Sequence, residues 1–122
     1  MFRYFHSVKY ALNGIFYALR TERNVQIWFV VFVLTNSIAY WLNVSRNEAI
    51  IIFISMTLIG SVEYLNTAVE ILADRVTKER DEQIKHVKDV AAGATFLVST
   101  ASLIVSLIIL LPKLCEKLEL TF

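Results

Sequence analysis

Two long stretches of this chain carry no charge, and that limits its possible folds more than any other feature. Asn24 to Ser45 is uncharged between Arg23 and Arg46, and Val90 to Pro112 is uncharged between Asp89 and Lys113. About 20 helical residues cross the roughly 30 Å hydrocarbon core of a bilayer, and each window is slightly longer than that, so either can span. The second window, with its run ATFLVSTASLIVSLIILLP, is nearly all apolar or small. The first holds Thr35, Asn36, Ser37 and Asn43, so part of it is expected to face protein rather than lipid.

A third apolar stretch, AIIIFISMTLIGSV, stops at Glu63. Alone it is too short to span. It continues through Glu70 to Ala73, and Ala49 to Ala73 together reaches spanning length with two carboxylates inside. A soluble amphipathic helix needs a broad polar stripe, and Ala49 to Val62 has none. The stretch therefore reads as a transmembrane helix with acids near one end. Composition agrees: 57% of residues are hydrophobic and 19% charged, against about 45–50% and about 25% in soluble domains.

The expectation is a single all-α integral membrane domain over 1–122, with spans at 24–45, 49–73 and 90–112 and a polar loop at 74–89. Residues 1–23 read as an amphipathic surface helix. Phe5, Val8, Leu12, Ile15, Phe16 and Leu19 fall on one side at helical spacing, with Arg3, Lys9, Asn13 and Arg20 largely elsewhere. A secretory signal peptide does not fit, because the first apolar window starts too late and no small-residue cleavage site follows it. Pro112 is expected to end the third span.

Basic residues set the orientation. Arg3, Lys9, Arg20, Arg23, Arg75, Lys78, Arg80, Lys85 and Lys88 fall on one side after two crossings; Arg46, Lys113 and Lys117 fall on the other. The N-terminus and the 74–89 loop are thus expected to be cytoplasmic. Several functions drop out. A net charge of +1 gives no case for nucleic acid. The one cysteine, Cys115, allows no internal disulfide and no multi-cysteine zinc site. No GxxxxGK[ST] or GxGxxG is present to cradle phosphate. His6 and His86 have no spacing that suggests a metal pair and read as surface residues.

Chemistry concentrates in Glu63, Asn66, Glu70 and Asp74. Their spacings of 3, 4 and 4 put them on one helical face. An ionisable residue within a membrane is costly, about 2.5–3.5 kcal/mol for Asp at a helix centre on insertion scales. Pairing with loop lysines accounts for Asp74 near water, but not for Glu63, about 16 Å of helix rise further in. Hard oxygen ligands suit Mg²⁺, which usually takes one or two carboxylates plus substrate phosphates. A desolvated carboxylate can also serve as a general base near neutral pH. Glu22, Lys88 and Asp89 stand at the same membrane depth from two other segments. A small proton or cation transporter would also place a Glu inside the membrane, but has no need of a charged loop beside it. A structural subunit would tolerate loss of the acids.

The run EYLNTAVEILADRV, the charged loop and the closing KDVAAGA resemble the prokaryotic diacylglycerol kinase family of small membrane lipid kinases. Asn13-Gly14 and Thr21-Glu22-Arg23-Asn24 resemble the end of that family's surface helix. The resemblance implies a homotrimeric bundle with active sites shared between subunits, and transfer of the ATP γ-phosphate to a lipid hydroxyl with Mg²⁺ as cofactor. It implies Glu63 as proton acceptor with Asn66 in support, and Glu22 and Glu70 as the carboxylates that hold Mg²⁺ and ATP. Arg3, Glu79, Lys88 and Asp89 match positions near the nucleotide. The chain departs from diacylglycerol-specific members at Ala11 and Ala92, where those have Ser, and at Glu79-Arg80-Asp81. Its Asn13-Gly14 and Asp89-Val90-Ala91-Ala92-Gly93-Ala94 forms are more similar to the branch that phosphorylates undecaprenol, so that lipid is the favoured acceptor and diacylglycerol the alternative.

Overall fold

The computed structural model describes residues 2–121, with side-chain surroundings for 3–119. Among the described residues the chain forms four helices and no strand: α1 (Phe2–Thr21), α2 (Arg23–Trp41), α3 (Arg46–Val76) and α4 (Glu82–Thr121). The last three are each long and apolar enough to cross a membrane. The 31 residues of α3 extend about 46 Å and the 40 of α4 about 60 Å, so both reach past a roughly 30 Å hydrocarbon core.

Local chemistry sets the breaks. Glu22, extended at φ −111° and ψ 117°, separates α1 from α2 without a side-chain cap. Gln26 closes that corner by donating from Nε2 to the carbonyls of Leu19 and Arg20, at 2.9 and 3.3 Å. Helix α2 ends in a Schellman motif. The Val44 N–H donates to the Ala39 carbonyl and the Asn43 N–H to that of Tyr40, with Asn43 left-handed at φ 56°. Two residues later a capping box starts α3: Ser45 Oγ accepts from the Glu48 N–H, and Glu48 Oε1 accepts from the Ser45 N–H.

Two expectations need correction. The loop read at 74–89 is confined to 77–81, because α3 runs on to Val76 and α4 begins at Glu82. Asp81 explains the early start: its Oδ1 accepts from the backbone N–H groups of Gln83 and Ile84 at 2.9 and 3.1 Å. Glu82 then favours the first turn through the helix dipole. Pro112 does not end the last helix but lies inside α4. It forfeits one backbone bond, while the ion pair of Lys113 with Glu48 at 3.3 Å holds the following turn against α3.

Helices α3 and α4 form the most extensive pairing, α2 packs on α3, and α1 rests on α2 and α3. Ala39, Ile52 and Met56 form the small buried core, with Phe32, Ile59, Ile109 and Leu110 packed around it. Most other large apolar side chains of the spans are exposed, Leu97, Ile108 and Ile54 among them, as the lipid-facing surface of a membrane bundle must be. On α1, Phe5, Val8, Leu12, Ile15 and Phe16 are exposed as well, while Ala18 is buried. Two polar residues of the first window bond within their own helix. Asn36 Nδ2 donates to the Phe32 carbonyl and Ser37 Oγ to that of Val33.

Candidate active site

The face of α3 that carries Glu63, Asn66 and Thr67 turns inward, and all three are buried. Glu63 is only 8% exposed, yet its Oε1 has no hydrogen-bond partner, and neither does Oδ1 of buried Asn66. One turn on, half-buried Glu70 accepts a long bond of 3.4 Å from Asn66 Nδ2. Buried oxygens without partners are rare, because each forfeits the hydration it had in water. Two of them lie on adjacent turns of α3, so a bound group, water or neighbouring subunit would have to supply their partners.

Glu63 lines a cavity of about 380 Å³ between α2, α3 and α4. Asn24 and Thr35 of α2 and Ser99, Ser102 and Ser106 of α4 contribute its other polar groups. Ser102 is buried and donates to Ser55 Oγ at 3.1 Å, which ties α4 to α3 below Glu63. A second cavity, a groove of about 610 Å³, lies between α1, α2 and α3. It is mostly apolar, with Gly14, Ile15, Trp28, Gly60 and Ala68 in its walls. Trp28 borders both spaces.

The polar stripe continues toward the 77–81 link. Exposed Asp74 pairs with Lys88 at 2.6 Å, joining the end of α3 to the start of α4. Asp89 pairs instead with Lys85 one turn back, at 3.0 Å. Glu79 is exposed in the link, its N–H donating to Thr77 Oγ1. Arg3 is exposed in the first turn of α1, and Glu22 stands half-buried at the corner between α1 and α2. The chain thus brings Glu63, Asn66 and Glu70 together on one face and places Lys88 beside Asp74. Glu22, Arg3 and Glu79 come from other segments. Among the described residues, no three His, Cys, Asp or Glu side chains converge to hold a metal ion. The chemistry nearest to a hard cation's needs is the Glu70 carboxylate with the buried, unpaired amide oxygen of Asn66 one turn away, while Glu22 stands apart at the α1–α2 corner.

Several of these residues are not singled out by sequence reasoning. The serines of α4 repeat at spacings of 3 and 4, which puts them on one face, but within an apolar run they read as small packing residues. Trp28 gives no signal among the aromatics of α2.

Comparison with known proteins identifies the family. Residues 9–110 match the family model described as prokaryotic diacylglycerol kinase. The chain is 37% identical to the undecaprenol kinase of Bacillus subtilis over 112 residues, covering 92% of this chain and 91% of that protein. It is 35% identical over 109 residues to a diacylglycerol kinase of Synechocystis, covering 88% of this chain and 62% of that protein. With a diacylglycerol kinase of Pseudomonas aeruginosa it shares 33% identity over 98 residues, 80% of each chain. A match that runs from α1 through most of α4 and takes in the whole buried stripe of α3 makes the chain a membrane lipid kinase, a member of the prokaryotic diacylglycerol kinase family.

Proposed function

We propose that this kinase transfers the γ-phosphate of ATP to the terminal hydroxyl of undecaprenol, with Glu63 as the general base. The observation that carries the chemistry is the Glu63 carboxylate, 8% exposed within a membrane span, with an unpaired oxygen beside a cavity. A base at that depth can meet a lipid hydroxyl that stays in the bilayer. Phosphoryl transfer asks for positioning, charge neutralisation and a nearby base, with little covalent work from the protein. The acceptor oxygen forms a bond to the γ-phosphorus, the bond from that phosphorus to the bridging oxygen breaks, ADP leaves, and Glu63 takes the hydroxyl proton. Asn66, one turn away, orients Glu70 through its amide.

In this reading Glu22 and Glu70 hold Mg²⁺, which neutralises charge on the phosphates when bound. Arg3, Glu79, Lys88 and Asp89 flank the nucleotide, and Asp74 keeps Lys88 at the mouth of the site. Glu22, at the α1–α2 corner, and Glu70, on α3, come from different segments and do not form a full ligand set in one chain. A homotrimer with sites shared between neighbours would complete it and would cover part of the apolar surface. The stripe end of the bundle and the N-terminus face the cytoplasm, where ATP is, and α1 lies on the membrane surface with its exposed apolar residues toward lipid. The similarity to the Bacillus subtilis undecaprenol kinase supports the choice of acceptor. The relatives from Synechocystis and Pseudomonas aeruginosa, both diacylglycerol kinases, keep diacylglycerol as the second reading.

The test uses purified protein in mixed micelles with radiolabelled ATP and Mg²⁺, and undecaprenol or diacylglycerol in parallel tubes. Label in the undecaprenol product is expected. Label in diacylglycerol alone would reassign the acceptor, and none in either tube would reject both.

A further inference from the structure

Trp28 occupies an unusual position. It is the residue that borders both the apolar groove beneath α1 and the cavity that holds Glu63. Its ring is fixed on several sides. The indole Nε1–H donates to the Met56 carbonyl of α3 at 2.8 Å. Phe32 packs against it at 5.4 Å between centroids, and Tyr64 meets it edge-on at 6.1 Å and 83°. Gly60 leaves the space the ring fills, since a methyl group there would overlap the indole. Tyr64 in turn donates from its hydroxyl to the Ile15 carbonyl of α1, at 3.0 Å. The indole is therefore a held wall, tied through Tyr64 to the helix that roofs the groove. Rotating it away would strip the N–H of its partner in an apolar setting.

Resting on the lipid kinase reading above, we propose that Trp28 is the residue that sets acceptor selectivity. In this proposal an acceptor lying in the groove passes this ring on its way to Glu63, because Trp28 is the wall the two spaces share. A polyprenol carries its hydroxyl at the tip of one chain and can thread a narrow gap. A diacylglycerol carries its hydroxyl on a glycerol unit whose two other carbons bear acyl esters, and the ring turns that wider head away. Trp28 takes no part in the proton transfer; it acts through shape, and discrimination by a wall of fixed side chains works through the relative kcat/KM of two substrates.

The test measures kcat/KM for undecaprenol and for diacylglycerol in mixed micelles, with the parent protein, Trp28→Ala, Trp28→Phe and Gly60→Ala. Trp28→Ala is expected to raise the diacylglycerol-to-undecaprenol ratio tenfold or more. Gly60→Ala displaces the same ring from the other side and should move the ratio in the same direction. Trp28→Phe keeps much of the wall and should change it less than threefold. An unchanged ratio in an active Trp28→Ala protein overturns the assignment while leaving the kinase reading intact; a parent protein that labels neither lipid defeats that reading first. A binding measurement stands apart from the cavity variants. In Trp41→Phe, Trp28 is the one remaining tryptophan. Its emission should change saturably as undecaprenol is added without ATP, and a flat titration also overturns the proposal.

Discussion

Replacing Glu63 by Gln separates a chemical role from a structural one. Gln has nearly the same shape, so the packing around position 63 is kept, and the change removes only the charge and the ability to accept a proton. Loss of a general base lowers turnover by about 10² to 10⁴, or about 2.7–5.5 kcal/mol in the barrier. Stability should not fall with it. The Oε1 atom has no partner to lose, and the residue is 8% exposed, so the substitution removes a buried carboxylate that has no cation beside it among the described residues. The expected result is a fall in kcat of at least a hundredfold at saturating lipid, with a thermal midpoint in micelles no lower than the parent's. The assay follows labelled phosphate into lipid, with unfolding monitored by circular dichroism on the same preparations. If Glu63→Gln keeps more than a third of the parent kcat, Glu63 is not the base. If activity and thermal stability fall together, the residue is holding the bundle instead.

Three further outcomes are expected. Chelation of divalent cations with EDTA should abolish lipid phosphorylation, and added Mg²⁺ should restore it; activity that persists in excess chelator would remove the metal from the scheme. Asp81→Ala should cost about 0.5–2 kcal/mol through loss of the α4 cap, and should speed amide exchange at Gln83 and Ile84; unchanged exchange there would deny the cap. Asn43→Ala puts a β-carbon without a compensating polar group in the left-handed region and should destabilise by about 1 kcal/mol, whereas Asn43→Gly should be neutral or better; equal midpoints for the two would contradict the turn geometry.

The membrane spans were legible because lipid forbids charge over a fixed length, and the uncharged windows from Asn24 to Ser45 and from Val90 to Pro112 both reach it. The inward face of α3 was legible for a related reason: Glu63, Asn66 and Glu70 repeat at helical spacing where carboxylates are expensive, and one chain brings them together. Helix ends were harder. Hydropathy marks where a span leaves the membrane, not where its hydrogen bonds stop, so the caps at Asp81 and Ser45 and the continuation through Pro112 lay outside its reach. The wall at Trp28 was invisible for a different reason. It depends on Gly60, which belongs to a separate helix, and nothing local to either residue signals that the two meet.

The two ends of the bundle are fastened very differently. At the 42–45 turn, α2 and α3 are joined by a few tightly bonded residues, and α4 is pinned there twice. Lys113 pairs with Glu48, and Lys117 donates to the Trp41 carbonyl at 2.7 Å while sitting 4.1 Å over the Trp41 ring. At the other end, α3 and α4 meet through the 77–81 link and the solvent-facing pair of Lys88 with Asp74, 39% and 56% exposed, which salt screens. Parting α3 from α4 therefore breaks fewer bonds at the 77–81 end than at the 42–45 end, within the reach the five-residue link allows. A pivot of about five degrees along a helix about 46 Å long moves its far end by about 4 Å. The acidic stripe of α3 runs toward that looser end, so a nucleotide held as proposed would enter where the helices separate at the least cost in bonds.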